Sequence, residues 1–166
     1  MESTHEQRLA RSGLTLPPAL PAFGQYVPSV LHGAALWVGG HFGTRPDGSI
    51  HVGRCGREVS VAEAREAARS AALNLLATVR EALGSLDRVV RVVQVYGVVN
   101  STPEFIEHTA VIDAASDVLV EVFMRKAPNS TRRSPLDTPL GLETVKTVVA
   151  EPLVVETLPV TFASPR

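Results

Sequence analysis

Residues 85–100 read SLDRVVRVVQVYGVVN, and the valines from Val89 to Val99 mark a strand set between two helices. β-branched side chains crowd the preceding turn of a helix but pack well on a pleated surface, and few charges interrupt this run. The composition predicts a strand buried on both faces or lying at the centre of a sheet. On its N-terminal side, Ser60 opens a long helix, and Glu63 completes a capping box. Val61, Ala64, Ala68, Ala71, Leu75, Val79 and Leu83 form a continuous apolar stripe at helical spacing, with Ala67, Ala72 and Leu76 beside them. So many alanines imply close approach to a sheet, and Gly84 is the natural stop. On the C-terminal side, Thr102 is placed to cap a second helix with Pro103 in its first turn, and Phe105, Thr109, Ile112, Ala115, Ser116 and Leu119 give it a less apolar face.

Working outward, the N-terminal half is strand-like. Tyr26–Leu31 and Ala34–Gly40 predict two strands; Arg45-Pro46-Asp47-Gly48 is a turn sequence, and residues 49–52 a short returning strand. Before them, residues 3–11 predict a short helix capped by Ser3 or Thr4, and Pro17, Pro18 and Pro21 then favour an extended chain. The expected organisation is an arm over residues 1–22 and one domain over 23–166. From about residue 124 the chain changes character. MRKAPNSTRRSPLDTPLG reads as a long loop, followed by two apolar runs, Leu142–Val149 and Leu153–Val160, either of which suits a strand and which together suit a hairpin. The order of elements predicts an α+β fold.

The 166 residues include 16 basic and 17 acidic side chains, a net charge of −1, which supplies no global pull toward nucleic acid or an anionic membrane. Cys55 is the only cysteine, so the chain holds neither an internal disulfide nor a thiolate-rich zinc site. The polar N-terminus MESTHEQRLARSG lacks the apolar run of a signal peptide, and no stretch approaches a membrane span, so a cytoplasmic location is expected.

No familiar catalytic motif is present: there is no G-x-S-x-G, and Gly39-Gly40 and Gly43 form neither a phosphate loop nor a dinucleotide fingerprint. No cofactor and no metal are expected. His41 and His51 lie on the predicted hairpin, where they could face each other, but two histidines make a poor metal site. Arg54 and Arg57 flank Cys55 and could activate its thiol, although no histidine and acid are spaced to complete a nucleophilic site, and a plain loop cysteine is the better account. His108 with Glu104 and Glu107 is read as a solvated helix face. What remains is Tyr26, the Gly39–Gly40–His41 corner, whose backbone N–H groups can hold a carboxylate, and the cluster Arg125, Lys126, Arg132 and Arg133, whose guanidinium groups can grip one in a fork.

In order, AFGQYVPSV, LWVGGHFGTRPDGSI, the helix from Ser60 with Asn74 inside ALNLL, LDRVVRVVQVYGVV and the helix containing Phe105 resemble the Rid family, also called YjgF-like or endoribonuclease L-PSP proteins. The resemblance covers roughly residues 23–123 and suggests a divergent branch. It implies a chorismate-mutase-like mixed β-sheet backed by two helices, and a homotrimer whose sheets form a central barrel with clefts between subunits. It implies binding of a small carboxylate-bearing metabolite, with hydrolysis of reactive 2-imino or enamino acids as the chemistry. Residue by residue, it implies substrate contacts from Tyr26, Gly39, Gly40, His41 and Thr109. Thr109 stands where relatives often have asparagine. Arg132 or Arg133 would take the place of the carboxylate-binding arginine, with Glu143 on the next strand. The tail departs from the family's Ala-Arg strand, which leaves a binding trimer without catalysis as the alternative. An endoribonuclease, as the family label suggests, is disfavoured by the near-neutral charge and the few aromatics.

Overall fold

Ser60 caps its helix as its sequence dictates: the hydroxyl accepts from the Glu63 N–H at 3.2 Å, and the Glu63 carboxylate accepts from the Ser60 N–H at 2.9 Å. In the computed structural model, which describes residues 4–123 and the backbone of 145–146 and 160–163, this helix runs Val61–Leu83 (α2) and ends at Gly84 in the left-handed conformation, φ 77°. It follows a short helix, His5–Arg11 (α1), and two strands, Ser29–His32 (β1) and Ala35–Val38 (β2). After it come a 3₁₀ turn at Leu86–Arg88, strands Arg91–Gln94 (β3) and Tyr96–Gly97 (β4), and a helix at His108–Phe123 (α3). Two short strands follow, Val145–Lys146 (β5) and Val160–Ala163 (β6).

The main sheet is antiparallel in the order β1-β2-β6-β3, and β4 pairs with β5 in parallel. Helices and sheet together make the predicted α+β architecture. The core lies between α2, α3 and one sheet face: Leu36, Val38, Leu76, Val79, Val111 and Val118 are all buried. The stripe of α2 is buried as expected, yet its most extensive contact is with α3 rather than with a sheet.

Several expectations need correction. The valine-rich run is not one doubly buried strand. It is split at Val95 into β3 and β4, which join different sheets, and β3 itself carries a register shift between Val92 and Gln94 and ends the order of its sheet, with Val92 buried while Val90 and Val93 are exposed. The second helix begins at His108, because residues 100–105 are engaged elsewhere: Cys55 N–H donates to the Asn100 carbonyl, Thr102 N–H to the Cys55 carbonyl, and Phe105 N–H turns back to Thr102. The predicted strand at 49–52 is reduced to a single bridge, Thr44 to Ile50, beside the expected turn closed by Gly48 N–H to the Arg45 carbonyl. β5 lies in the first apolar run and β6 starts at the end of the second, and these described pieces join different partners, while the rest of both runs lies outside the described residues.

The N-terminal helix is tied into the molecule. Thr4 caps it, Leu9 is buried in the core, and the Glu6 carboxylate takes a two-pronged contact from Arg80 (3.1 and 2.7 Å) and a third from the Leu86 N–H (3.0 Å). Arg8 Nε donates to the Val122 carbonyl at 2.7 Å, near the end of α3.

Candidate functional site

Where β2 ends, the chain makes the Gly39-Gly40 corner and lays Phe42, Gly43 and Thr44 along α2. The approach is close: a side chain on Gly43 would meet the backbone of Ala67, so only glycine fits there. Polar groups on α2 fix the segment. Ser70 exchanges hydrogen bonds with Thr44, its hydroxyl donating to the carbonyl at 2.6 Å and accepting from the N–H at 3.0 Å. Asn74 donates to the Phe42 carbonyl at 2.8 Å, and its Oδ1 is buried with no partner among the described residues. Thr78 Oγ1 lies 2.8 Å from His41 Nε2.

Above this floor is a shallow concavity of about 280 Å³, counting its open mouth, lined by Tyr26, Gly39, Gly40 and His41 together with Pro21, Phe23 and Phe42. The structure thus brings together four sequence-predicted residues, Tyr26, Gly39, Gly40 and His41. Tyr26 is half exposed, its hydroxyl accepting from the Phe23 N–H at 3.2 Å, and the Phe23 and Phe42 rings pack 5.2 Å apart. Thr109 is exposed in the first turn of α3 and does not line the concavity of its own chain. Arg132, Arg133 and Glu143 lie outside the described residues, as do Arg125 and Lys126.

His41 does not face His51. Its ring is buried, with Nδ1 2.9 Å from the Gly39 carbonyl, and burial holds its pKa below the usual histidine value against the opposing pull of that carbonyl. The sign follows from linkage. Between the lowered folded value and the ordinary 6.5, the unfolded chain binds more protons, so stability falls as pH drops from 6.5 through the folded value. His51, lowered by partial burial and by Arg45, acts in the same direction. Urea midpoints from pH 7.5 to 5 should therefore fall with pH in the wild type and fall less in His41→Gln; parallel curves would remove His41 from the account.

Other candidates resolve as packing. Cys55 is 2% exposed, and burial raises its thiol pKa, so the flanking arginines do not activate it. Among the described residues no cluster of His, Cys, Asp or Glu could hold a metal ion. His108 is not a bare solvated face: its Nε2 sits 2.9 Å from Ser101 Oγ, and its ring meets Phe105 edge-on. Asn74 stood out in the sequence only as part of the ALNLL resemblance, and Ser70 and Thr78 went unnoticed, although the three recur every four positions beside an apolar stripe.

No helix among the described residues is long and apolar enough to cross a membrane. The outer face of the sheet carries apolar side chains: Val30 pairs with Trp37 across β1 and β2, and both are about half exposed.

Comparison with known proteins matches these features to one lineage. A Trypanosoma cruzi protein named TCP17 is 39% identical over 115 residues, covering 69% of this chain and 72% of the relative. A crystal structure from Agrobacterium tumefaciens, of unknown function, aligns at 31% identity with a TM-score of 0.75 over 98% of this chain and 94% of its own. A structure from Shewanella oneidensis described as a putative endoribonuclease aligns at 28% identity, with a TM-score of 0.75 over 97% and 99% of the two chains. Residues 6–141 match the family described as YjgF/chorismate_mutase-like, putative endoribonuclease, and this chain belongs to that YjgF/Rid family.

Proposed function

We propose that this chain assembles as a homotrimer whose intersubunit clefts bind a small carboxylate-bearing metabolite and hydrolyse a reactive 2-imino or enamino acid. The observation that carries this is the convergence of Tyr26, Gly39, Gly40 and His41 on one shallow concavity. Such a surface is too open to enclose a ligand by itself, since small-molecule sites bury most of their ligand. The exposed Val30–Trp37 pair supports a second copy packing nearby, because burying such a patch is favourable. Thr109, which does not line the concavity of its own chain, would contribute from a neighbour.

The chemistry asks little of the protein. An imine carbon is already electrophilic; water adds to it, a proton reaches nitrogen, and ammonia leaves to give the 2-oxo acid. Orientation and donors placed for the developing charge supply much of the acceleration. The backbone of the Gly39–Gly40 corner would steady the substrate, Arg132 or Arg133 would grip its carboxylate, and Glu143 would handle the proton. Hydrolysis of freshly generated 2-iminopropanoate is expected to exceed the buffer rate. It should fall about 100-fold in whichever of Arg132→Ala and Arg133→Ala removes the anchor, with the trimer intact by sedimentation. A wild-type trimer with no acceleration would sink the enzymatic claim.

The departure of residues 124–166 from the family's arginine strand favours one second reading, a trimer that binds without turnover. Its mark is ligand-dependent stabilisation, about 2.7 kcal/mol at a hundredfold excess over Kd, with no product.

A further inference from the structure

The α2 residues under the pocket do more than hold a loop. Gly39 O is a carbonyl and can only accept, so the 2.9 Å contact requires the proton of the neutral His41 ring to sit on Nδ1. Nε2 is then an acceptor, and the Thr78 hydroxyl at 2.8 Å is its donor. Thr78 Oγ1 is also 3.4 Å from the Asn74 carbonyl, a longer contact that competes for the same proton. The direction Thr78→His41→Gly39 is therefore set by the final carbonyl.

That direction matters because Gly39 C=O and Gly40 N–H belong to one planar trans peptide and point opposite ways. Drawing the carbonyl toward His41 turns the Gly40 N–H away from the ring. No described residue accepts from that N–H, while Gly40 itself lines the concavity. On the far side, Gly39 N–H is fixed to the Pro28 carbonyl at 2.8 Å, so the corner is held from both strands. Asn74 and Ser70 hold the Phe42 and Thr44 backbone, which keeps the segment from rotating as a unit.

We infer that Thr78, acting through His41, is a positioning residue that orients the Gly39–Gly40 peptide so that the Gly40 N–H serves the pocket as its donor to an anionic ligand. Asn74 and Ser70 hold the adjoining backbone in the same frame. This rests on the carboxylate site proposed above, and it assigns His41 a role beneath the ligand rather than one in proton transfer to it.

The test uses the full-length protein and pyruvate as the carboxylate probe. The ring-nitrogen shifts of His41 should report the Nδ1–H tautomer in the wild type, which needs no variant. Adding pyruvate should move the Gly40 amide signal. Thr78→Val, which keeps shape but removes the hydroxyl, should move the His41 Nε2 signal as that nitrogen loses its donor, and weaken the pyruvate response about tenfold, the scale of one hydrogen bond to a charged group. Thr78→Ser should restore both. An Nε2–H ring in the wild type would overturn the inference. So would an unchanged Gly40 response in Thr78→Val, or pyruvate moving the Tyr26 and Phe42 amides but not Gly40. If pyruvate moves no pocket amide at all, the carboxylate site fails and takes Gly40's donor role with it, and the ligand-free Gly40 amide position in Thr78→Val against the wild type then decides separately whether Thr78 sets the peptide.

Discussion

Gly43→Ala is expected to destabilise the protein by about 3 kcal/mol or more, at the upper end of what overpacking costs. The added carbon would collide with the Ala67 carbonyl oxygen and stand 2.8 Å from its carbonyl carbon and Cα. These are backbone atoms of α2, in the buried middle of a capped helix, so no rotamer change can relieve the clash. Either the helix bends or the 41–44 segment lifts away. Lifting breaks the contacts of Ser70, Asn74 and Thr78, so pocket binding should be lost together with stability. The melting temperature should fall by roughly 10 °C, at the few degrees per kcal/mol usual for chains of this size. Gly24→Ala is the control, since its new carbon would meet only the Tyr26 ring at an ordinary 3.7 Å. A Gly43→Ala protein melting beside the wild type would show that the segment does not rest on α2 as described.

Leu76→Ala should cost about 3 kcal/mol, within the range for buried leucine truncations. Leu76 is 0% exposed in the core that α2 shares with α3, where the lost methyl groups leave a void that rigid neighbours cannot fill. Leu73, on the same helix but only partly buried, should lose clearly less on the same change. Urea unfolding of both variants checks the order, with an unchanged denaturant slope confirming that stability rather than compactness moved. Equal costs at the two positions would mean that the inner face of α2 is rotated from its described orientation.

The parts of the fold that were legible in the sequence are those governed by local rules. Ser60, Glu63 and Gly84 bounded α2 because capping and left-handed termination depend on a few adjacent residues. The Arg45–Gly48 turn was readable for the same reason. Thr102-Pro103 shows the limit: a good cap sequence was not used as one, because its backbone pairs with the Cys55 loop across a long stretch of chain. The valine run was equally misleading about burial. β propensity reports a residue's fit to a pleated surface and is silent on which strand will lie beside it.

The candidate site divides the same way. Tyr26 and the Gly39–His41 corner stood out by residue type, and the fold gathers them on one concavity. Ser70, Asn74 and Thr78 carry a four-residue period that, beside an apolar stripe, says nothing of what they hold. Their meaning depends on the segment that crosses them, and crossing is a tertiary fact. The sequence by itself determined the family, the α+β class and the ends of α2, since short-range capping, turn chemistry and ordered motifs are written in neighbouring residues. Only the tertiary structure decided that His41 is buried and turned toward Thr78, that Cys55 is shielded, and that Gly43 must be glycine. Each of these follows from burial and close approach between segments distant in the chain, and none is encoded at a single position.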